Sequence, residues 1–302
     1  MKTPPYLKQG DTVGIVATAR KISLEEIRPA VRLLESWGLN VKLGGNLFYE
    51  DNQYAGTDSE RVADLQSMLD DNTVRAILCA RGGYGSVRII DRIDFTKFSN
   101  NPKWIIGYSD VTVLHSHIHS LFGIETLHGT MPLDFTGNET EATLSLKKAL
   151  FGEDMRYTVP LHSLNKMGIA SGTLVGGNLS ILYSLRGTVS DIDTEGKILF
   201  IEDLDEYLYH IDRMMINLKR GGKLEKLKGL IVGGMTDMHD NTIPFGKSAH
   251  EIILDAVKEY SFPVCFDFPA GHLKEKNLAI ILGREVELSV SHRETALCVK
   301  KV

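Results

Sequence analysis

Several short segments of this chain carry a side chain able to do chemistry at the end of a β-rich run. In Lys103-Trp-Ile-Ile-Gly-Tyr-Ser-Asp-Val-Thr-Val-Leu-His115, a buried strand runs into Gly107-Tyr108-Ser109-Asp110 and a helix begins at once. A serine at such a corner projects its Oγ above the sheet edge. There it lies beside backbone N–H groups of the first helical turn that can stabilise an oxyanion. The match to a G-x-S-x-G elbow is partial, because Val111 stands where the second glycine would be. Ser109 reads equally well as an ordinary N-cap.

Three further segments could complete such a site. Arg81-Gly-Gly-Tyr-Gly-Ser86 follows the run Val74–Ala80, and its glycines let the backbone approach a ligand with N–H groups outward. It lacks the spacing and lysine of a phosphate-binding loop, and no G-x-G-x-x-G follows the first strand. A tight turn needing positive φ is the other reading. Lys197-Ile-Leu-Phe-Ile-Glu202-Asp203 is a buried run ending in two carboxylates. Glu202 is the functional candidate, whereas Asp203 and Asp205 read as helix caps. Phe268-Pro-Ala-Gly-His272 puts a histidine on a Pro/Gly loop, where its near-neutral pKa suits a general base. Ser109, Glu202 and His272 thus run in the order nucleophile, acid, base.

Other candidates read as structure. His115, His117 and His119 share one helix, but only residues 115 and 119 share a face and the H-E-x-x-H form is absent, so surface histidines are expected rather than zinc ligands. Gly176-Gly-Asn-Leu-Ser180 reads as a turn followed by an asparagine cap. Tyr207–Lys219, with Ile211, Met214, Met215 and Leu218 apolar, reads as a packed helix.

Positioning these residues requires a scaffold of alternating elements. Strand patterns at 12–17, 41–43, 74–80, 104–106 and 124–127 alternate with helical spacing at 24–37, 59–69 and 111–121. Ser23 and Glu26 form a capping-box pattern at the first helix. Strand alternating with helix implies a mostly parallel sheet covered on both faces, with ligands beyond the carboxyl ends of the strands. The rhythm breaks between residues 151 and 166. Strands then return at 172–175, 197–202, 229–232 and 264–266, with helices near 179–185, 207–218 and 248–260 and closing β-runs at 279–282, 286–290 and 295–299. Two domains are expected, residues 1–152 with the nucleophile and 167–302 with the acid and base, joined by a linker at 153–166.

Composition bounds the rest. With 302 residues, 43% hydrophobic and 24% charged, the chain buries a full core without disulfides or a structural metal. Its net charge of −5 and the absence of basic runs argue against nucleic acid as partner. Cys79, Cys265 and Cys298 form no C-x-x-C pair and read as buried thiols in a reducing compartment. No stretch reaches 18 apolar residues and the start carries no secretory pattern, so no membrane partner and a cytoplasmic location are expected.

Taken in order, the motifs resemble the serine LD-carboxypeptidase family, which also includes the microcin C self-immunity proteins. The resemblance rests on Gly10-Asp-Thr-Val-Gly-Ile-Val-Ala17, Arg81-Gly-Gly-Tyr-Gly85, Ile106-Gly-Tyr-Ser-Asp110, His128-Gly129, Leu174-Val-Gly-Gly-Asn-Leu179, Ile201-Glu-Asp203, Ile211-Asp-Arg-Met214 and Pro269-Ala-Gly-His272. It implies an α/β fold, with a Rossmann-like N-terminal domain joined to a β-rich swivelling C-terminal domain. It further implies a Ser109–Glu202–His272 triad, an oxyanion hole made of the backbone N–H groups of Gly83 and Asp110, no metal or cofactor, and a homodimer. The implied reaction removes the terminal D-Ala from a murein tetrapeptide during wall recycling. Cleavage of a peptidyl-aminoacyl nucleotide is the alternative within the family. Outside it, a non-catalytic sugar- or nucleotide-binding α/β module and a general α/β-hydrolase esterase compete. The missing second elbow glycine and the placing of Glu202 and His272 in another domain weigh against the esterase.

Overall fold

The structure is a computed structural model that describes residues 1–273 and 276–301, so Lys274 and Glu275 of the His272 loop and the terminal Val302 lie outside the described residues. Five parallel strands, β1 (Thr12–Val16), β2 (Asn40–Leu43), β3 (Val74–Cys79), β4 (Trp104–Gly107) and β5 (Thr126–His128), stand in the order β5-β4-β3-β1-β2. Val13 and Ile15 face one way, against Ile27 and Leu34 of the helix α1 (Leu24–Ser36) and Trp37 just after it. Val16, Ile77 and Cys79 face the other, against α2 (Asp58–Asp70) and a helix over Thr112–Phe122. Burial on both faces is why these strands read as apolar runs rather than alternating ones. The capping box forms: Ser23 Oγ accepts from the Glu26 N–H at 3.3 Å, and Glu26 accepts from the Ser23 N–H at 2.7 Å.

Short helices α3 (Ser86–Ile89) and α4 (Thr96–Asn100) precede the Thr112–Phe122 helix, α5, and α6 (Glu141–Phe151) closes this half. Thr140 caps α6 and Gly152 ends it at φ +73°, a helix not among the expected elements. The expected linker is not structureless: it contains β6 (Arg156–Val159). That strand is the edge of a second, seven-stranded sheet. The sheet continues through β7 (Gly168–Asn178), β8 (Ile198–Leu204), β9 (Gly229–Thr236) and β10 (Val264–Cys265), which are mutually parallel. On the far side of β7, β12 (Glu285–Val290) and β13 (Thr295–Val299) add antiparallel strands and lead to β6. Helices α7 (Leu179–Ser184), α8 (Leu208–Arg220) and α9 (Ala249–Val257) cover one face, with Ile211, Met214, Met215 and Leu218 of α8 buried as expected. The architecture is the α/β arrangement with a mostly parallel first sheet and a second β-rich sheet read from the sequence.

The two halves are stitched together near the strand ends. β11 (Ile280–Leu282) comes from late in the chain yet pairs antiparallel with β5, extending the first sheet. Beyond it, Arg284 grips Glu125 with two bonds of 2.6 Å, both side chains almost fully buried. Removing one partner of such a pair leaves the other charge buried and uncompensated, which costs about 3–5 kcal/mol. Glu125→Ala is therefore expected to lower the melting temperature by about 6 °C or more. A scanning-calorimetry midpoint within 2 °C of the parent, at roughly that resolution, would show that the pair is not a clamp. Deeper in the seam, the Asn178 N–H donates to Thr112 Oγ1 at 3.0 Å. A Cβ on Gly177 would come within 2.5 Å of that hydroxyl, so the bare glycine backbone lets β7 press onto the start of α5.

Candidate active site

The corner after β4 is strained in the way a nucleophile elbow is. Ser109 has φ +61°, a left-handed conformation costing a non-glycine residue of order 1–3 kcal/mol. Gly107, at φ +156°, cannot carry a Cβ, which would stand 2.8 Å from Val111 Cγ2. The valine in place of the second elbow glycine therefore packs over the first. Ser109 does not act as a side-chain cap: the turn Ser109–Val111 precedes α5, and no side-chain bond caps either element. The Asp110 N–H belongs to that first turn and donates to no backbone acceptor among the described residues, whereas the Val111 N–H bonds the Tyr108 carbonyl at 3.2 Å.

The glycine loop lies directly against this corner. A Cβ on Gly82 would sit 3.0–3.1 Å from Ser109 Cβ and Oγ, and Gly83 has φ +113°. The Gly83 N–H faces no protein acceptor among the described residues. The loop is held from behind: the Ser86 N–H donates to the buried Asp110 carboxylate at 2.8 Å, and Ser86 Oγ pairs with Thr18 Oγ1 at 2.9 Å. Asp110 thus offers its own N–H at the corner while its side chain fixes the loop that brings Gly83 alongside.

The other half of the site comes from the second sheet. Glu202, fully buried on β8, accepts from His272 Nδ1 at 2.6 Å and from the His272 N–H at 3.3 Å. A Cβ on Gly271 would fall 2.7 Å from Glu202 Cβ and Oε2, so the glycine before the histidine is needed for this approach. Asn277 Oδ1 accepts the Gly271 N–H at 2.8 Å and holds the loop. Burial pushes the His272 pKa down, but the charge and hydrogen bond of Glu202, joined by the charges of Asp203 and Asp134, more than reverse this and leave it above 6.5. With Nδ1 donating to the carboxylate, Nε2 keeps its lone pair for a proton.

Ser109 and His272 line one open cavity of about 230 Å³, together with Gly82, Gly83, Arg20, Arg81, Tyr108 and Asp134. No hydrogen bond joins Ser109 to His272 among the described residues, whereas the acid–base pair is closed. Sequence reasoning missed Tyr108 and Asp134. The Tyr108 ring meets His272 edge-on at 4.9 Å, and its hydroxyl donates to Asp134 Oδ2 at 2.9 Å. Burial raises the Asp134 pKa. Tyr108 sits inside the quoted Gly-Tyr-Ser-Asp motif, but only contact across the two sheets gives it a role.

Several expectations need correction. The three α5 histidines are buried, because α5 is enclosed between the two halves rather than exposed on one. They bond separately to Gly107 O, Ser190 Oγ and Thr126 Oγ1 at 2.9, 2.9 and 3.0 Å. Burial lowers the His115 pKa to about 4 and that of His119 to about 3. Gly176 and Gly177 finish β7 instead of making a turn, while Asn178 caps α7 as read, accepting from the Ile181 N–H at 3.2 Å. Asp203 is a cap, but of α7 across the sheet: it accepts from the Ser180 N–H at 2.9 Å, and burial together with the Glu202 charge raises its pKa to about 7. Asp205 caps nothing and bonds His239. Cys79 and Cys265 are buried, with thiols pushed up to about 12 by desolvation, whereas Cys298 is only half-buried.

Comparison with known proteins follows the same seam. Residues 13–129 match the LD-carboxypeptidase N-terminal domain and residues 171–288 match the LD-carboxypeptidase C-terminal domain. The chain belongs to the LD-carboxypeptidase family. A probable murein peptide carboxypeptidase of Bacillus subtilis is 39% identical over 303 residues, covering 97% of this chain and 93% of that protein. A murein tetrapeptide carboxypeptidase of Pseudomonas aeruginosa is 28% identical over 272 residues, covering 86% and 87%. Among solved structures, a muramoyltetrapeptide carboxypeptidase from Oxalobacter formigenes superposes with a TM-score of 0.86 at 24% identity, covering 96% and 99% of the two chains. The microcin C7 self-immunity protein in its wild-type apo state gives 0.86 at 21%, covering 98% of each. At those identities the two structures establish the shared fold. Family membership makes this chain a carboxypeptidase, as its ordered motifs implied. No helix among the described residues is long and apolar enough to cross a membrane.

Proposed function

We propose that Ser109, Glu202 and His272 are the catalytic triad of an LD-carboxypeptidase that removes the terminal D-alanine from murein tetrapeptide in wall recycling. The observation that carries this reading is the closed Glu202–His272 pair, whose histidine shares one cavity with the strained Ser109 corner. The substrate class follows the murein peptide carboxypeptidase at 39% identity. His272 Nε2 takes the Ser109 proton as Oγ attacks the carbonyl carbon of the penultimate residue. Glu202 orients the imidazole and stabilises its charged form. The oxyanion rests on the N–H groups of Gly83 and Asp110, each donor contributing about 3 kcal/mol. His272 then protonates the departing amine of D-alanine, and water, deprotonated by the same imidazole, frees the acyl group from Ser109.

Two halves are a condition of this chemistry. The nucleophile and oxyanion donors belong to residues 1–152 and the acid and base to 167–302, so neither alone holds a full site. A cytoplasmic homodimer processing recycled wall fragments is the setting we propose. Purified protein incubated with murein tetrapeptide should release free D-alanine stoichiometrically with tripeptide. Folded protein that leaves the tetrapeptide intact would overturn the substrate assignment.

A further inference from the structure

A carboxypeptidase must distinguish a chain end from an internal bond, and the group that differs is the free carboxylate of the last residue. In the substrate, that carboxylate carbon is three bonds from the scissile carbonyl carbon, about 3–4 Å away. Whatever reads it must therefore stand beside the oxyanion donors. Two cations do. Arg20 and Arg81 both line the cavity that holds Ser109, Gly83 and His272.

Their surroundings separate them from the other arginines nearby. Arg61 and Arg88 are each paired with Asp58. Neither Arg20 nor Arg81 has a carboxylate within 4.0 Å among the described residues. Among the described residues, Asp134 is the only carboxylate lining the cavity, and it is engaged by the Tyr108 hydroxyl. Two guanidinium groups with no acidic partner among the described residues, in a chain of net charge −5, make this end of the cavity locally positive.

The pair is also built in. The Arg20 backbone is fixed by a bridge to Tyr54. Its stem lies over the Gly83 α-carbon: a Cβ there would meet Arg20 Cδ, Cγ and Nε at 2.6–2.8 Å. Gly83 thus serves twice, adopting φ +113° and leaving room for the arginine. Arg81 Nη1 donates to the Lys21 carbonyl at 3.1 Å, next along the chain from Arg20, which ties the second cation to the segment carrying the first. Arg20 is exposed and Arg81 is half-buried.

Resting on the function given above, we propose that Arg20 and Arg81 form the subsite that binds the free carboxylate of the D-residue. Arg20 supplies the paired donors, and Arg81 adds charge and holds the Arg20 segment in place. A planar guanidinium matches a carboxylate with two parallel bonds, which a lysine or an amide cannot reproduce. A substrate ending in a carboxamide loses the charge and half of the acceptors, so this subsite also explains restriction to chain ends.

The test compares murein tetrapeptide with the same peptide ending in D-alaninamide, using the parent protein, Arg20→Gln, Arg81→Gln and Arg20→Lys. The parent should favour the free acid by about 100-fold or more in kcat/KM, because a site built around a charged partner is left unpaired by the analogue. In Arg20→Gln the acid should lose roughly 30–100-fold, mainly through KM, while the amide changes by less than about threefold. Arg81→Gln should move the same ratio in the same direction, and Arg20→Lys should recover part of the loss. Labelling of each variant by a fluorophosphonate serine probe reports an intact nucleophile. An acid-to-amide ratio that both glutamine variants leave unchanged overturns the subsite, whatever happens to absolute rates. Should Arg20→Gln not fold, the Arg81→Gln ratio decides alone. A folded parent that cleaves neither peptide overturns the function itself, and the subsite with it.

Discussion

Ser109→Ala is expected to reduce D-alanine release by about four orders of magnitude or more while leaving the fold and tetrapeptide binding in place. The loss is large because the acyl intermediate cannot form, and the base has no hydroxyl to deprotonate. The residue that remains should still exceed the uncatalysed rate, since oxyanion donors and positioning survive removal of a triad member. Stability should change little, because alanine keeps the same Cβ at the same φ of +61°. That angle allows a second variant to separate strain from chemistry. Ser109→Gly should be equally inactive yet about 1 kcal/mol more stable than Ser109→Ala, since glycine adopts the left-handed region without penalty. Steady-state D-alanine release, titration calorimetry with tetrapeptide and thermal melts read these separately. Turnover in Ser109→Ala above roughly a tenth of the parent rate, against the loss expected for a nucleophile, would remove Ser109 from the mechanism.

The strand-to-helix corner, the buried carboxylate and the loop histidine were legible because each ends an apolar run, where local pattern and fold agree. What the sequence hides is contact across the two sheets. Tyr108 resembles any aromatic beside a motif until His272 is brought to 4.9 Å of its ring. The α5 histidines show helical spacing, but their burial needs β7 and α7 of the second half packed on α5 as well as its own sheet. Gly176 and Gly177 have the composition of a turn and instead end a strand, because Phe200 and Thr112 press against their α-carbons. The extension of β7 to Gly168–Asn178, well beyond the expected residues 172–175, has the same origin. Pairing with β8 on one side and β12 on the other carries the strand through residues of weak β propensity. Arg20 falls in this class too. It is one exposed arginine among many until Gly83 is found bare beneath its stem.

Glu202→Gln tests the remaining member of the triad, and its signature lies in pH as well as rate. The side chain is fully buried, and Oε2 carries both bonds to His272 while Oε1 has no partner among the described residues. Glutamine fits the same space without the charge, so the histidine loses the group that stabilises its protonated form. If the amide NH₂ turns toward Nδ1, the imidazole also takes the wrong tautomer. A comparable substitution in chymotrypsin-like proteases costs about 10⁴ in turnover, and a loss of about 10²–10⁴ is expected here. The pH dependence fixes the cause. His272 must be neutral to accept the Ser109 proton, so kcat/KM falls as pH drops through its pKa. In the parent that pKa stands above 6.5, because Glu202, with smaller contributions from Asp203 and Asp134, outweighs burial. Without the charge, burial prevails and the acidic limb should move below 6.5, so the deficit of Glu202→Gln narrows toward acid pH and is greatest on the alkaline plateau. A pH–kcat/KM profile of both proteins between pH 5 and 9, a span of about two units on each side of neutrality, measures the shift. An acidic limb that stays in place despite the fall in rate would mean that another group sets the charge on His272, and Glu202 would then be only a scaffold for its loop.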